Sequence, residues 1–236
     1  MTDRTTLRVS AMLLVLGDLL TVLAGLFHPG RENPNDHPAV FAEYAASANW
    51  TSVHLGQFVG MAVLVAGLLV LFGALYATAA GPPQWAARLG AIAAAVSLAL
   101  YGVLQAVDGV ALKQAVDAWA RAPEADKAAR FATAEAVRWL EWAIRSYHSL
   151  MLGLALVLCA AAIVWTARAR GVIGYLMGLS GLAYLVQSWI LGSEGFSARL
   201  TLPQLLGYVL VLAWSLALGL TAWRMRESAE ARATWS

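Results

Sequence analysis

Glu135-Ala136-Val137-Arg138-Trp139-Leu140-Glu141-Trp142-Ala143-Ile144-Arg145-Ser146-Tyr147-His148-Ser149 runs straight into Leu150–Trp165, a segment that carries no charge. Glu135, Arg138, Glu141, Arg145 and His148 recur at steps of three and four, with Ser149 beside the last. That spacing stacks side chains along one face of a single helix. One helix therefore carries a charged face and then enters sequence apolar enough for a lipid core. Ionisable groups at membrane depth are costly and tend to mark function, so this stretch sets both the fold class and the place to look for a site.

The rest of the chain agrees with a membrane setting. Of 236 residues, 60% are hydrophobic and 13% charged. A soluble domain would carry about 25% charge. Mean hydropathy is +0.66. The formal net charge of +2 comes with no basic block or nucleic-acid motif, so a polyanionic partner is not expected. The single cysteine, Cys159, lies in an apolar run, which excludes an internal disulfide or a thiolate cluster. Arg4 and Arg8 precede an apolar run, Ala11 to Phe27, that is long for a signal peptide and is followed by His28-Pro29-Gly30. An uncleaved first transmembrane helix is expected.

Six spans are expected, at about 9–27, 53–79, 86–112, 136–167, 172–192 and 202–223, forming one all-α polytopic transmembrane helical bundle over residues 1–236. Gly81-Pro82-Pro83 stops the second span, and Pro203 sits near the first turn of the sixth. Residues 28–52 are expected as a turn-rich loop followed by a short interfacial helix. Residues 113–135, where Ala alternates with charge, are expected as a polar helical hairpin extending spans three and four. Arg4, Arg8, Arg88, Arg168, Arg170, Arg224, Arg226 and Arg232 fall on one side, which places both termini in the cytoplasm. A cell membrane, as in a bacterial inner membrane, is the expected location.

With that topology the polar residues gather at the external ends of the spans. They are His28, Trp50, His54 and Gln57; Gln105, Asp108 and Lys113; Glu141, Arg145 and His148; and Gln187, Trp189, Glu194 and Gln204. The opposite halves are mostly Leu, Val, Ala and Gly, apart from Asp18 in mid span one. Glu141 and Arg145 are four apart, in the favourable acid-to-base order, and Arg145 is the expected partner of Asp108. His148 would then be left as a proton carrier. His148, Asp108 and Glu141 are the candidate catalytic groups. Arg145, His54, Gln57, Gln105, Trp50 and Trp142 are the candidate substrate contacts. The competing reading is that the outer charges, Glu135 and Arg138 above all, are interfacial and solvated.

No metal is expected. His28, His37, His54, His148 and Asp108 offer donors, but no HxxxH or HExxH spacing exists and spans five and six contribute no histidine. No cofactor is indicated, although His54 and His148 on separate helices are conceivable haem ligands. Gly56-x-x-x-Gly60 and Gly174-x-x-x-Gly178 provide small surfaces for close helix packing.

His28-Pro29, Trp50-x-x-x-His54 and Arg138-Trp139-Leu140-Glu141-Trp142 give a pattern that resembles uncharacterised bacterial multi-pass membrane proteins of unknown function. That resemblance implies no activity. From the residues, the expectation is a site that binds or converts by acid–base chemistry an amphipathic, lipid-like or isoprenoid molecule. The partners would be membrane lipids and a hydrophobic small molecule. The alternative is a non-enzymatic transporter or an assembly or structural partner.

Overall fold

Each apolar run becomes a long helix, and the loops between them decide who packs against whom. A computed structural model describes residues 4–166 and 171–225 of the chain. Its helices are α1 (Arg4–Gly25), α2 (His37–Ala46), α3 (Trp50–Thr78), α4 (Pro82–Ala106), α5 (Lys113–Ala120), α6 (Glu124–Thr166), α7 (Gly171–Glu194) and α8 (Thr201–Arg224). A π-helical turn, Val107–Leu112, carries α4 into α5 without a break. Six helices are long and apolar enough to cross a membrane: α1, α3, the joined α4–α5, α6, α7 and α8. The chain is thus an all-α membrane-type bundle. Arg168, Arg170, Arg226 and Arg232, used above to orient it, lie outside the described residues.

Short connections force antiparallel neighbours. Each span packs on the next, and α8 returns to α1, so the spans close into a ring. Closure at the end that holds the termini is polar. Arg8 donates Nε to the Ala222 carbonyl and Nη2 to that of Trp223, both at 3.3 Å, and Arg4 donates to the Met225 carbonyl at 3.2 Å. Those carbonyls end α8, where backbone acceptors have no helical partner and a cation is favoured. Outward faces are apolar: Leu19, Ile92, Leu179 and Leu220 are exposed, as are Trp85, Trp165, Trp189 and Trp223 near span ends. In water such a surface would aggregate; in lipid it is solvated, with the tryptophans at the headgroup level.

Small residues set the tightest contacts. Gly60 of α3 faces α1, where an added Cβ would meet Thr21 N at 2.6 Å, and one on Gly17 would meet Leu64 Cα at 2.6 Å. Ser10 Oγ also donates to the Gly67 carbonyl at 2.9 Å. Between α6 and α7 the same role falls to Gly153 and Gly181, and Gly174 packs on Ala160, Ile163 and Val164.

Two helices continue well past the membrane. α6 has 43 residues, roughly 65 Å at 1.5 Å per residue, about twice a hydrocarbon core. With α5 it forms a hairpin turned at residues 121–123. The loop helix α2 docks on that hairpin. Its Val40, Phe41 and Tyr44 join Trp50, Leu112, Val116 and Ala134 in a second small core. α2, the short helix expected in this connection, therefore packs on protein and roofs one end of the ring. Asp36 caps its start by accepting from Ala39 N at 3.3 Å.

The α1–α3 contact gives a direct test. Gly17→Val and Gly60→Val should each lower the midpoint of thermal unfolding in detergent, by an overpacking cost of about 1–3 kcal/mol. Gly73→Ala, on α3 with nothing within 4 Å of the new methyl, should be neutral.

Candidate functional site

The roofed end of the ring encloses a cavity of about 480 Å³. Its wall includes Thr21, Val22 and Leu26 from α1, Gln57 from α3, Tyr101 and Asp108 from α4 and its π turn, and Gln204 and Tyr208 from α8. Arg138, Glu141 and Arg145 enter from α6, Phe196 from the α7–α8 loop, and His28 and Tyr44 from the roof.

Two close pairs of polar side chains, an arginine with a carboxylate and a histidine with a carboxylate, are almost wholly withdrawn from solvent. Arg138 (3% exposed) donates Nη1 to Glu141 Oε2 at 2.7 Å and to the Tyr44 hydroxyl at 3.1 Å. Its guanidinium also lies 4.9 Å from the Phe196 ring centre and 5.3 Å from that of Tyr44. Burial raises the Tyr44 phenol above its ordinary pKa, so it stays protonated. The second pair is His54 Nε2 with Asp108 Oδ2 at 3.1 Å. His54 is 2% and Asp108 6% exposed. Removing one member of such a pair leaves an uncompensated buried charge.

Local structure explains how the second pair forms. The π turn carries Asp108, and the next residue, Gly109, leaves room for His54: a Cβ there would lie 2.8 Å from His54 Cβ. Wide turns of this kind are frequent at functional sites. Trp50 stacks on His54, with centroids 4.4 Å apart, and donates Nε1 to the Asp108 carbonyl at 3.1 Å. His54 Nδ1 is 2.8 Å from the Trp50 carbonyl.

His28 follows the end of α1. Three successive backbone bonds, from Leu26, Phe27 and His28 back to Val22, Ala24 and Gly25, turn the chain there. Glu43 of α2 accepts from Gly30 N and Arg31 N, both at 3.1 Å, and ties the loop down. The His28 ring sits 5.1 Å from that of His54 and 5.2 Å from that of Trp50. Burial holds its pKa below the ordinary histidine value, against a smaller opposing pull from Asp108. The neutral ring is therefore favoured.

The structure brings some of the sequence candidates together and gives others different partners. Asp108, Glu141, Arg145 and Gln57 do line one cavity. Glu141 pairs with Arg138, three residues away, and not with Arg145; Asp108 pairs with His54, not with Arg145. Arg145 faces the cavity in no salt bridge with a described residue; its guanidinium carbon lies 5.1 Å from the centre of the Phe196 ring, and Tyr101, Tyr208, Glu141 and Asp108 line the same space. His148 lies apart from the cavity. Its Nδ1 is 3.0 Å from both the hydroxyl and the carbonyl of Ser97, and its ring stacks on Tyr101, so it ties α6 to α4. Gln105 and one edge of His54 face a separate groove of about 280 Å³ between α3 and α4. Trp142 points to the α7 side and meets His37 edge-on at 5.5 Å. His37 in turn pairs with Glu135 at 2.9 Å. Arg138, read from the sequence as an outer and solvated charge, is instead buried, because Glu141 and Tyr44 satisfy its guanidinium. Tyr44, Phe196 and Tyr208 were not singled out.

Compared with protein-family models, curated proteins and solved structures, the chain matches none.

The Arg138–Glu141 pair generates a stability prediction. Arg138→Met alone should destabilise the detergent-solubilised protein by about 3–5 kcal/mol. Arg138→Met with Glu141→Leu should recover most of that loss. Thermal unfolding of the three proteins checks it; a double variant as unstable as the single would contradict the pairing.

Proposed function

We propose that the cavity receives the polar head of an amphipathic, lipid-like molecule whose tail lies along the apolar bundle. The observation that carries this reading is Arg145, a cation facing a cavity of about 480 Å³ with no acid of the described residues in a salt bridge to it. An arginine at such depth is favoured when an anion completes its hydrogen bonds. An anionic head, as in an alkyl phosphate or carboxylate, fits that need. Val22 and Leu26 line the same cavity and are themselves exposed on the outer face of α1. Opposite them stand Gln204 and Tyr208 of α8, so the seam between α1 and α8 is the route to the lipid. If the bound molecule is converted, the carboxylates of Glu141 and Asp108 are the acid–base groups within reach.

A proton or ion path is less well supported. Below the cavity the described core is Leu68, Leu71, Phe72, Ala94, Leu156 and Trp214, with Asp18 the one carboxylate at depth. The other buried polar groups of the membrane-spanning helices there, such as Ser10, Ser180 and Ser215, carry no charge.

Ligand binding and topology are both measurable. Dodecyl phosphate should bind the protein in neutral detergent with one site per chain, seen by native mass spectrometry, and dodecyl glucoside should not compete. Arg145→Gln should weaken dodecyl phosphate about tenfold or more, or about 1.4 kcal/mol. Arg199→Gln, at an exposed rim position, should leave it unchanged. Equal binding by wild type and Arg145→Gln would refute the head-group role.

We also propose that the roofed end is extracytoplasmic in a bacterial inner membrane, on the arginine distribution. Cys159 is fully buried, so Glu124→Cys at the hairpin tip provides the exposed thiol. It should react with a membrane-impermeant maleimide in intact cells. Labelling only after lysis would invert the topology.

A further inference from the structure

We infer that His28, His54 and Asp108 form a binding site for one divalent transition-metal ion, open on one side to the cavity. One ring nitrogen of each histidine and a carboxylate oxygen of Asp108 lie within 4.8 Å of one another. The three come from the turn after α1, the first turns of α3 and the π turn after α4. The site stands independently of what fills the cavity.

The hydrogen bonds of the two rings point the same way. His28 Nδ1 is 2.5 Å from the Pro29 carbonyl and His54 Nδ1 is 2.8 Å from that of Trp50. A carbonyl only accepts, so each Nδ1 bears a proton, and in the neutral ring Nε2 then keeps its lone pair. Metal-bound histidines are held in this manner, with the second nitrogen donating to a backbone carbonyl. In that tautomer His54 Nε2 sets a lone pair against the Asp108 carboxylate at 3.1 Å. Two negative lobes at that distance repel unless an electrophile lies between them. Moreover, His54 Nε2 and Asp108 Oδ1 are buried and have no hydrogen-bond partner among the described residues. Buried polar atoms of native proteins are rarely left so.

Donors on one ion at about 2.0–2.2 Å stand roughly 3 Å apart. The His54–Asp108 separation already meets that. His28 closes the remainder by moving a turn and no helix. Two imidazoles and one carboxylate leave coordination positions free, the arrangement of zinc and non-haem iron sites and not of a closed structural site. His28 and Asp108 line the same cavity as Glu141 and Arg145, so that cavity is where a further ligand would reach the ion. The competing occupant is a proton, which would make His54 and Asp108 a simple ion pair locking α3 to α4.

The test uses the full-length protein in detergent, with any affinity tag removed, stripped with a chelator and then titrated with Zn²⁺, Co²⁺ or Mg²⁺. Wild type should take up one Zn²⁺ or Co²⁺ per chain by elemental analysis, with visible ligand-field bands for cobalt, and should ignore Mg²⁺. His28→Gln, His54→Gln and Asp108→Asn should each weaken Zn²⁺ at least about tenfold, the loss that removal of a mere outer-shell partner brings. His37→Gln and His148→Gln should bind as wild type does. Folded wild type that takes up no zinc or cobalt overturns the site in favour of the proton. Binding that persists undiminished in the three ligand variants overturns it as well, whatever their stability, because the ion would then lie elsewhere.

Discussion

A charge buried inside a helix bundle must find its counter-charge there, because the hydrocarbon core supplies none. Much of the roofed end follows from that constraint. Arg138 and Glu141 neutralise each other inside a box made by Tyr44, Trp142 and Phe196. Tyr44 belongs to α2 and Phe196 to the α7–α8 loop, so the pair draws two distant segments onto α6. The length of α6 beyond the membrane and the hairpin with α5 then give α2 an apolar surface on which to rest. The roof, the cavity beneath it and the exclusion of solvent are consequences of satisfying these charges.

The ring provides the complementary constraint. Antiparallel neighbours in chain order leave an inside that need not be filled by a seventh helix. Away from the roof, large side chains such as Leu68, Phe72, Leu156 and Trp214 fill it. Near the roof, polar side chains hold it open. Close glycine contacts between α1 and α3 and between α6 and α7 keep those seams tight. The seam between α1 and α8 is fastened by arginines at the end with the termini, and at the other end both helices contribute to the cavity wall.

Much of the fold was legible because it rests on local quantities. Runs of about twenty apolar residues, prolines after Gly81 and a charged face entering a greasy helix need no knowledge of neighbours. The polar end was legible for the same reason, since alternation of spans sends Asp108, Glu141 and Arg145 to one side. Pairings were less so. On a helix, Arg138 and Arg145 are both within reach of Glu141; Phe196 lies against both, and it is Arg138 that also bonds the Tyr44 hydroxyl. His148 had a favourable helical position, yet Ser97 on α4 takes its ring. The histidine–carboxylate cluster escaped motif logic altogether, because HxxxH spacing presupposes two ligands on one helix, and here each comes from a different segment.

The sequence by itself determined six membrane-length helices, a polar end and a greasy end. Hydrophobic length and helical periodicity are properties of each segment taken alone. Only the tertiary structure decided that His28 and His54 meet Asp108, that Arg145 is left facing a cavity, and that His148 is a packing group. Those outcomes depend on how far each helix is rotated about its own axis and which neighbour it meets. Rotation is settled by contacts between segments far apart in the chain, such as Gly109 against His54 and Gly60 against Thr21, whose fit no single segment encodes.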